Sequence, residues 1–145
     1  MTINNSASRT IGFLLVDNFT MISQASAIEA LRMANHLSQQ PLYQWKMLSA
    51  NGQPVRASDG LVVGVDGDLE INQSFDWLIV CGGMGVKERC NKVITQWLQR
   101  QARKKVKLGA ICTGSYLLAR AGLLDGYSCT IHWDHMASFK EEFRL

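Results

Sequence analysis

Several things are missing from this chain, and each absence excludes a class of protein. No apolar run reaches the roughly eighteen residues that a membrane-spanning helix needs. The opening MTINNSASRT is polar and has no apolar stretch, so it does not read as a secretory signal. Four cysteines occur, at Cys81, Cys90, Cys112 and Cys129, with no CxxC pair and no histidine at zinc-ligand spacing. A structural zinc site and a disulfide framework are therefore not expected, and a reducing, cytoplasmic setting with free thiols is. Internal repeats and low-complexity tracts are absent. No large excess of one charge exists either: the formal net charge is +3. The densest basic cluster is Arg100, Arg103, Lys104, Lys105 and Lys107. It closes an amphipathic stretch and reads as a solvated helix end that suits the helix dipole, not as a nucleic-acid patch.

What remains is an ordinary globular composition, 47% apolar and 19% charged over 145 residues, enough for one domain with one core. Residues 1–9 read as a disordered lead-in and 10–145 as the domain. Strands are expected at 10–16, 43–49, 75–81, 108–111 and around Cys129-Thr130-Ile131, with a shorter β-rich stretch at 60–65. Helical spacing runs from about Met21 to Leu37, from Val86 to Lys105 with Val93, Ile94, Trp97 and Leu98 inward, from Ser115 to Ala121, and from Asp134 to Phe143. Trp45, Trp77 and Trp97 are expected in the core, His36 and His135 at the surface. Strands alternating with helices argue an α/β sandwich with a mainly parallel sheet. In such sheets ligands sit beyond the carboxyl ends of the strands. Four segments meet that rim: Asp17-Asn18-Phe19, Gly82-Gly83-Met84, Cys112-Thr113 and His132-Trp133.

The densest signal is Lys107-Leu108-Gly109-Ala110-Ile111-Cys112-Thr113-Gly114-Ser115. An apolar strand ends in one cysteine, glycine follows, and a helical pattern begins at once, the form of a nucleophile elbow. The helix start beneath Cys112 favours thiolate and offers backbone N–H groups to an anion. Gly82, Gly83 and Thr113 add donors at the same rim, which would serve an oxyanion in an enzyme or a ligand carboxylate in a sensor. His132, twenty positions beyond Cys112, is the candidate partner for the thiol, with Asp134 nearby. Phe19 and Trp133 are expected at the pocket mouth, where a ring face holds a quaternary ammonium by on the order of 0.5–2 kcal/mol. Glu29 and Arg32, three apart on one helix, are placed to pair.

Together IGFLLVDNFTMISQASAIEALRMAN, DWLIVCGG, GAICTGSYLLARAGLLDG and CTIHWDH resemble the class I glutamine amidotransferase-like (PfpI) superfamily. More narrowly, they resemble the N-terminal domain of AraC-family transcriptional regulators, in particular those of carnitine, choline and glycine betaine catabolism. The resemblance implies a three-layer, flavodoxin-like sandwich that continues past Leu145 and is followed by a helix-turn-helix domain outside this chain. It implies a small-molecule effector of betaine or carnitine type, DNA contacted through that further domain, and a homodimer. No cofactor, metal or membrane contact is implied. The effector would bind at Phe19, Ser23, Gly82, Gly83, Cys112, Thr113, His132 and Trp133. One departure bears on chemistry. Active members carry an acidic residue beside the elbow cysteine, and the matching position here is Ser23, with Asp17 and Glu29 as displaced acidic alternatives. A sensor in which Cys112 and His132 are vestigial is therefore expected over a cysteine hydrolase or hydratase that uses them. A thiol stress sensor is the third reading.

Overall fold

The computed structural model describes residues 7–144. The order of elements is β1 (Arg9–Leu15), α1 (Met21–Ser38), β2 (Tyr43–Leu48), β3 (Val55–Arg56), β4 (Val62–Val63), β5 (Trp77–Cys81), α2 (Val86–Arg89), α3 (Lys92–Arg103), β6 (Lys107–Ile111), α4 (Ser115–Arg120), a 3-10 turn at Trp133–His135, and α5 (Met136–Glu142). β2, β1, β5 and β6 lie side by side in that order and every pairing is parallel. β3 and β4 form a separate small hairpin.

Alternation along the strands divides the core in two. Leu14, Leu48, Leu78 and Val80 point to the face covered by α3 and α4, where they meet Trp97, Leu98 and Leu117. Ile11, Phe13, Leu15 and Met47 point the other way, toward α1 and the hairpin. Helices on both faces of a parallel sheet make the expected three-layer sandwich. Its sheet order places a crossover change between β1 and β5, so the carboxyl ends of those strands border a crevice.

Five expectations are corrected. The expected lead-in lies mostly outside the described residues, and its last member, Arg9, already pairs with Tyr43 as part of β1. The single helix expected over 86–105 is two helices. Cys90 is extended, and Asn91, also extended, accepts the Ile94 N–H at its Oδ1 (3.0 Å), so a new helix is capped and started there. The strand expected at Cys129-Thr130-Ile131 does not form. That segment is held by the Ser115 hydroxyl donating to the Thr130 carbonyl (2.6 Å) and by His132 N–H donating to the Cys112 carbonyl (3.2 Å), which are single tethers and no ladder. Val93 points outward, 61% exposed. Trp77 is 42% exposed on β5, and the Lys107 ammonium of β6 lies 5.1 Å from its ring centroid.

Candidate functional site

The elbow forms as its sequence dictates. Cys112 joins β6 to α4 with φ of 56°, in the left-handed region that a side chain enters only where its surroundings insist. Close packing supplies the insistence. A Cβ on Gly114 would collide with the Val80 carbonyl oxygen, and one on Gly83 with the Asn18 carbonyl oxygen. Only glycine lets these backbones approach so nearly. The Thr113 side chain, fully buried, donates to the Gly83 carbonyl (2.7 Å) and ties the loop after β5 to the elbow.

Among the described residues the thiol of Cys112 hydrogen-bonds neither a carboxylate nor an imidazole. Its polar neighbour is the Thr20 hydroxyl, 3.3 Å away. Thr20 precedes α1 as its N-cap, yet its side chain makes no capping bond. The hydroxyl is turned to the sulfur instead. Sequence reasoning missed Thr20 because a threonine at a helix start already has an ordinary explanation. Ser23 sits almost one turn further on, half-buried, with no hydrogen bond to Cys112 among the described residues. The two acidic alternatives are engaged elsewhere. Asp17 lies 3.6 Å from the Arg89 guanidinium. Glu29 accepts from Arg32 at 2.6–3.0 Å on the exposed side of α1, and that bond holds its carboxyl below the usual range.

His132 is exposed, and its backbone N–H donates to the Cys112 carbonyl (3.2 Å). Its Nδ1 accepts a long 3.4 Å bond from the Asp134 backbone N–H, and its ring stacks on Trp133 at 5.8 Å between centroids. Among the described residues no hydrogen bond joins its side chain to Cys112, and the bond it has with Asp134 is to the backbone N–H, not the carboxylate. His135, expected at the surface, is half-buried. Gly82 N–H donates to the Ile111 carbonyl (3.3 Å), as Gly114 N–H does (3.0 Å). Those two donors therefore close the loop on itself. Phe19 is 0% exposed, packed among the core residues beneath α1. It presents no ring face to a ligand, which corrects its expected place at the mouth. Trp133 is 76% exposed. The eight residues expected to share one site thus separate into a buried frame (Phe19, Gly82, Gly83, Thr113), a half-buried pair (Ser23, Cys112) and an exposed aromatic edge (His132, Trp133).

Behind the elbow, α4 is pinned by a polar cluster. The Tyr116 hydroxyl donates to Glu142 (2.7 Å), and Lys87 and Arg120 approach the same carboxylate at 2.7 and 3.6 Å. The Lys87 bond, with that of Tyr116, keeps the Glu142 carboxyl below its ordinary range. Burial first, and the Glu142 bond second, push the Tyr116 hydroxyl up to about 12. This cluster fastens α5 and α2 to the helix that carries the elbow. Burial likewise drives the Cys81 thiol far up, so Cys81 is an inert core group. All four cysteines are free, and no described helix is long and apolar enough to cross a membrane.

A parallel three-layer sheet with a strained cysteine at a strand-to-helix elbow, backed by a Gly-Gly loop, defines an amidotransferase-like domain. The DJ-1/PfpI family model matches residues 9–143, and the chain belongs to that family. It is 51% identical over 139 residues to the HTH-type transcriptional regulator GbdR of Pseudomonas aeruginosa, covering 96% of this chain and 38% of that protein. It is 42% identical over 136 residues to the regulator CdhR of the same organism, covering 94% and 40%. A crystal structure of an AraC family transcriptional regulator from Pseudomonas putida superposes with a TM-score of 0.81 at 30% identity, covering 94% of this chain and 73% of that one. The chain therefore spans about two fifths of the length of these curated relatives.

Proposed function

We propose that this chain is the effector-sensing part of an AraC-type transcriptional regulator, one that binds a small metabolite and thereby biases DNA binding by a further domain. The observation that carries this reading is the likeness to GbdR and CdhR along almost the whole chain. The site's chemistry supports it: the sulfur of Cys112 meets a threonine hydroxyl, and His132 is exposed with its Nδ1 on the Asp134 N–H. Nucleophilic catalysis needs a base within hydrogen-bond reach of the nucleophile and a third group to orient that base. By resemblance the effector is a betaine- or carnitine-like amine. The regulator acts as a cytoplasmic homodimer, with effector binding shifting a pre-existing equilibrium between arrangements.

A cysteine hydrolase or hydratase is the second reading, and the strained φ at Cys112 favours it. A thermal-shift panel of glycine betaine, dimethylglycine, carnitine and choline, run on wild type and Cys112→Ser, separates the two. Stabilisation of both proteins by one amine is expected of a sensor. Turnover of any panel compound that disappears in Cys112→Ser overturns the sensor reading.

A further inference from the structure

A cleft of about 430 Å³ opens between the carboxyl ends of β1 and β2 and the corner where α2 meets α3. Its volume falls in the range of small-molecule sites. Neither Cys112 nor His132 lines it, and none of the rim residues expected from sequence does except Asp17. Its polar side chains are Asp17, Glu88, Arg89, Ser49, Asn51 and Asn91, while the outward-turned Val93 supplies apolar wall.

The arrangement of those groups is specific. Asn51 Oδ1 accepts from the Gln53 N–H (3.0 Å), and Asn91 Oδ1 accepts from the Ile94 N–H (3.0 Å). Each amide oxygen is thus committed to backbone, which leaves the two NH₂ groups as what these side chains can offer a ligand. Arg89 adds a guanidinium. Its contact with Asp17 is long, at 3.6 Å, and both side chains are about half exposed, so the pair can reopen at little cost. Asp17 and Glu88 against Arg89 give the cleft two negative charges and one positive.

We propose that this cleft is the effector site and that it takes a small zwitterion, one carboxylate and one cationic nitrogen on a short spacer. Arg89 and the amide NH₂ groups of Asn51 and Asn91 read the carboxylate by charge-assisted hydrogen bonds. Asp17 and Glu88 hold the cation. No aromatic ring lines the cleft, so the cation is held by charge and binding weakens as salt rises. This placement rests on the sensing role proposed above.

Isothermal titration calorimetry of the protein with glycine betaine, carnitine, L-arginine and choline tests it, at low and high salt. The proteins compared are wild type, Arg89→Gln, Asp17→Asn and, as a control on the far end of α3, Arg103→Gln. At least one zwitterion binds, choline binds at least about tenfold more weakly, and Arg89→Gln and Asp17→Asn each weaken the zwitterion by about tenfold or more. Arg103→Gln leaves affinity unchanged. Circular dichroism confirms that the variants are folded. A zwitterion that binds wild type and Arg89→Gln equally overturns the placement and leaves the sensing role standing. No binding of any of the four compounds to wild type overturns both.

Discussion

The elbow at Cys112 and the cleft at Asp17 and Arg89 lie beyond the carboxyl ends of one parallel sheet, yet they are built in opposite ways. The elbow is woven into the backbone. Its glycines touch carbonyls of β5 and of the loop after β1, its threonine is buried, and its helix is anchored through Tyr116 to α5. Almost every donor and acceptor described there is satisfied from within the protein. The cleft is lined by half-exposed charges and by amides whose donors are not needed for the fold. The contrast teaches that one rim can carry a motif whose groups are spent on architecture beside side chains that architecture leaves free.

Four substitutions sharpen or break that contrast, and the first should do most damage. Gly114→Ala drives a Cβ into the Val80 carbonyl, where backbone on both sides leaves no room to yield. We expect a loss of about 3 kcal/mol, read as a melting temperature lower by about 10 °C. Unchanged melting would mean that the elbow is looser than its packing implies. Thr113→Val removes the donor to the buried Gly83 carbonyl and should cost about 2 kcal/mol in a denaturant titration.

Tyr116→Phe should cost about 1 kcal/mol, because Glu142 keeps Lys87 and Arg120. It should also change the pH profile. Tyr116 titrates higher in the folded chain, at about 12 against an ordinary 10. Its contribution is therefore complete below pH 10 and is lost as pH rises from 10 toward 12. Glu142 is displaced downward, so its contribution is present above its ordinary value and lost as pH falls through the folded one. Melting curves collected across the pH range should show both limbs in wild type and lose the alkaline one in Tyr116→Phe. Retention of that limb would assign it to another group. The smallest effect belongs to the cleft: Arg89→Gln should shift stability by about 0.5 kcal/mol or less. A loss as large as that of Thr113→Val would make the Asp17–Arg89 pair part of the fold and weaken the contrast itself.

Much of the fold is legible in the sequence because it depends on local periodicity. TIGFLLV and FDWLIVC read as buried strands and LGAI as the strand leading into the elbow, and their parallel pairing follows from the helices between them. The misreadings have local physical causes. Asn91 interrupts a stretch whose apolar spacing looks continuous, and a capping side chain outweighs periodicity there. Cys129-Thr130-Ile131 has strand composition, but among the described residues the backbone bond beside the elbow comes from His132, one residue further on, and a strand needs a ladder. Val93 fits the inward face of α3 by spacing, yet the separate start of that helix at Asn91 leaves it lining the cleft.

The candidate site was legible only in its covalent order. The sequence by itself determined the parallel sheet, the elbow and the strained cysteine, because strand, turn and helix propensities act over a few residues and glycine is the sole residue that fits the approaches there. Only the tertiary structure decided what each side chain faces: Thr20 on the sulfur, Phe19 in the core, Asp17 toward Arg89. Such contacts join residues distant in sequence and depend on how helices rotate over the sheet, and no local pattern encodes that rotation.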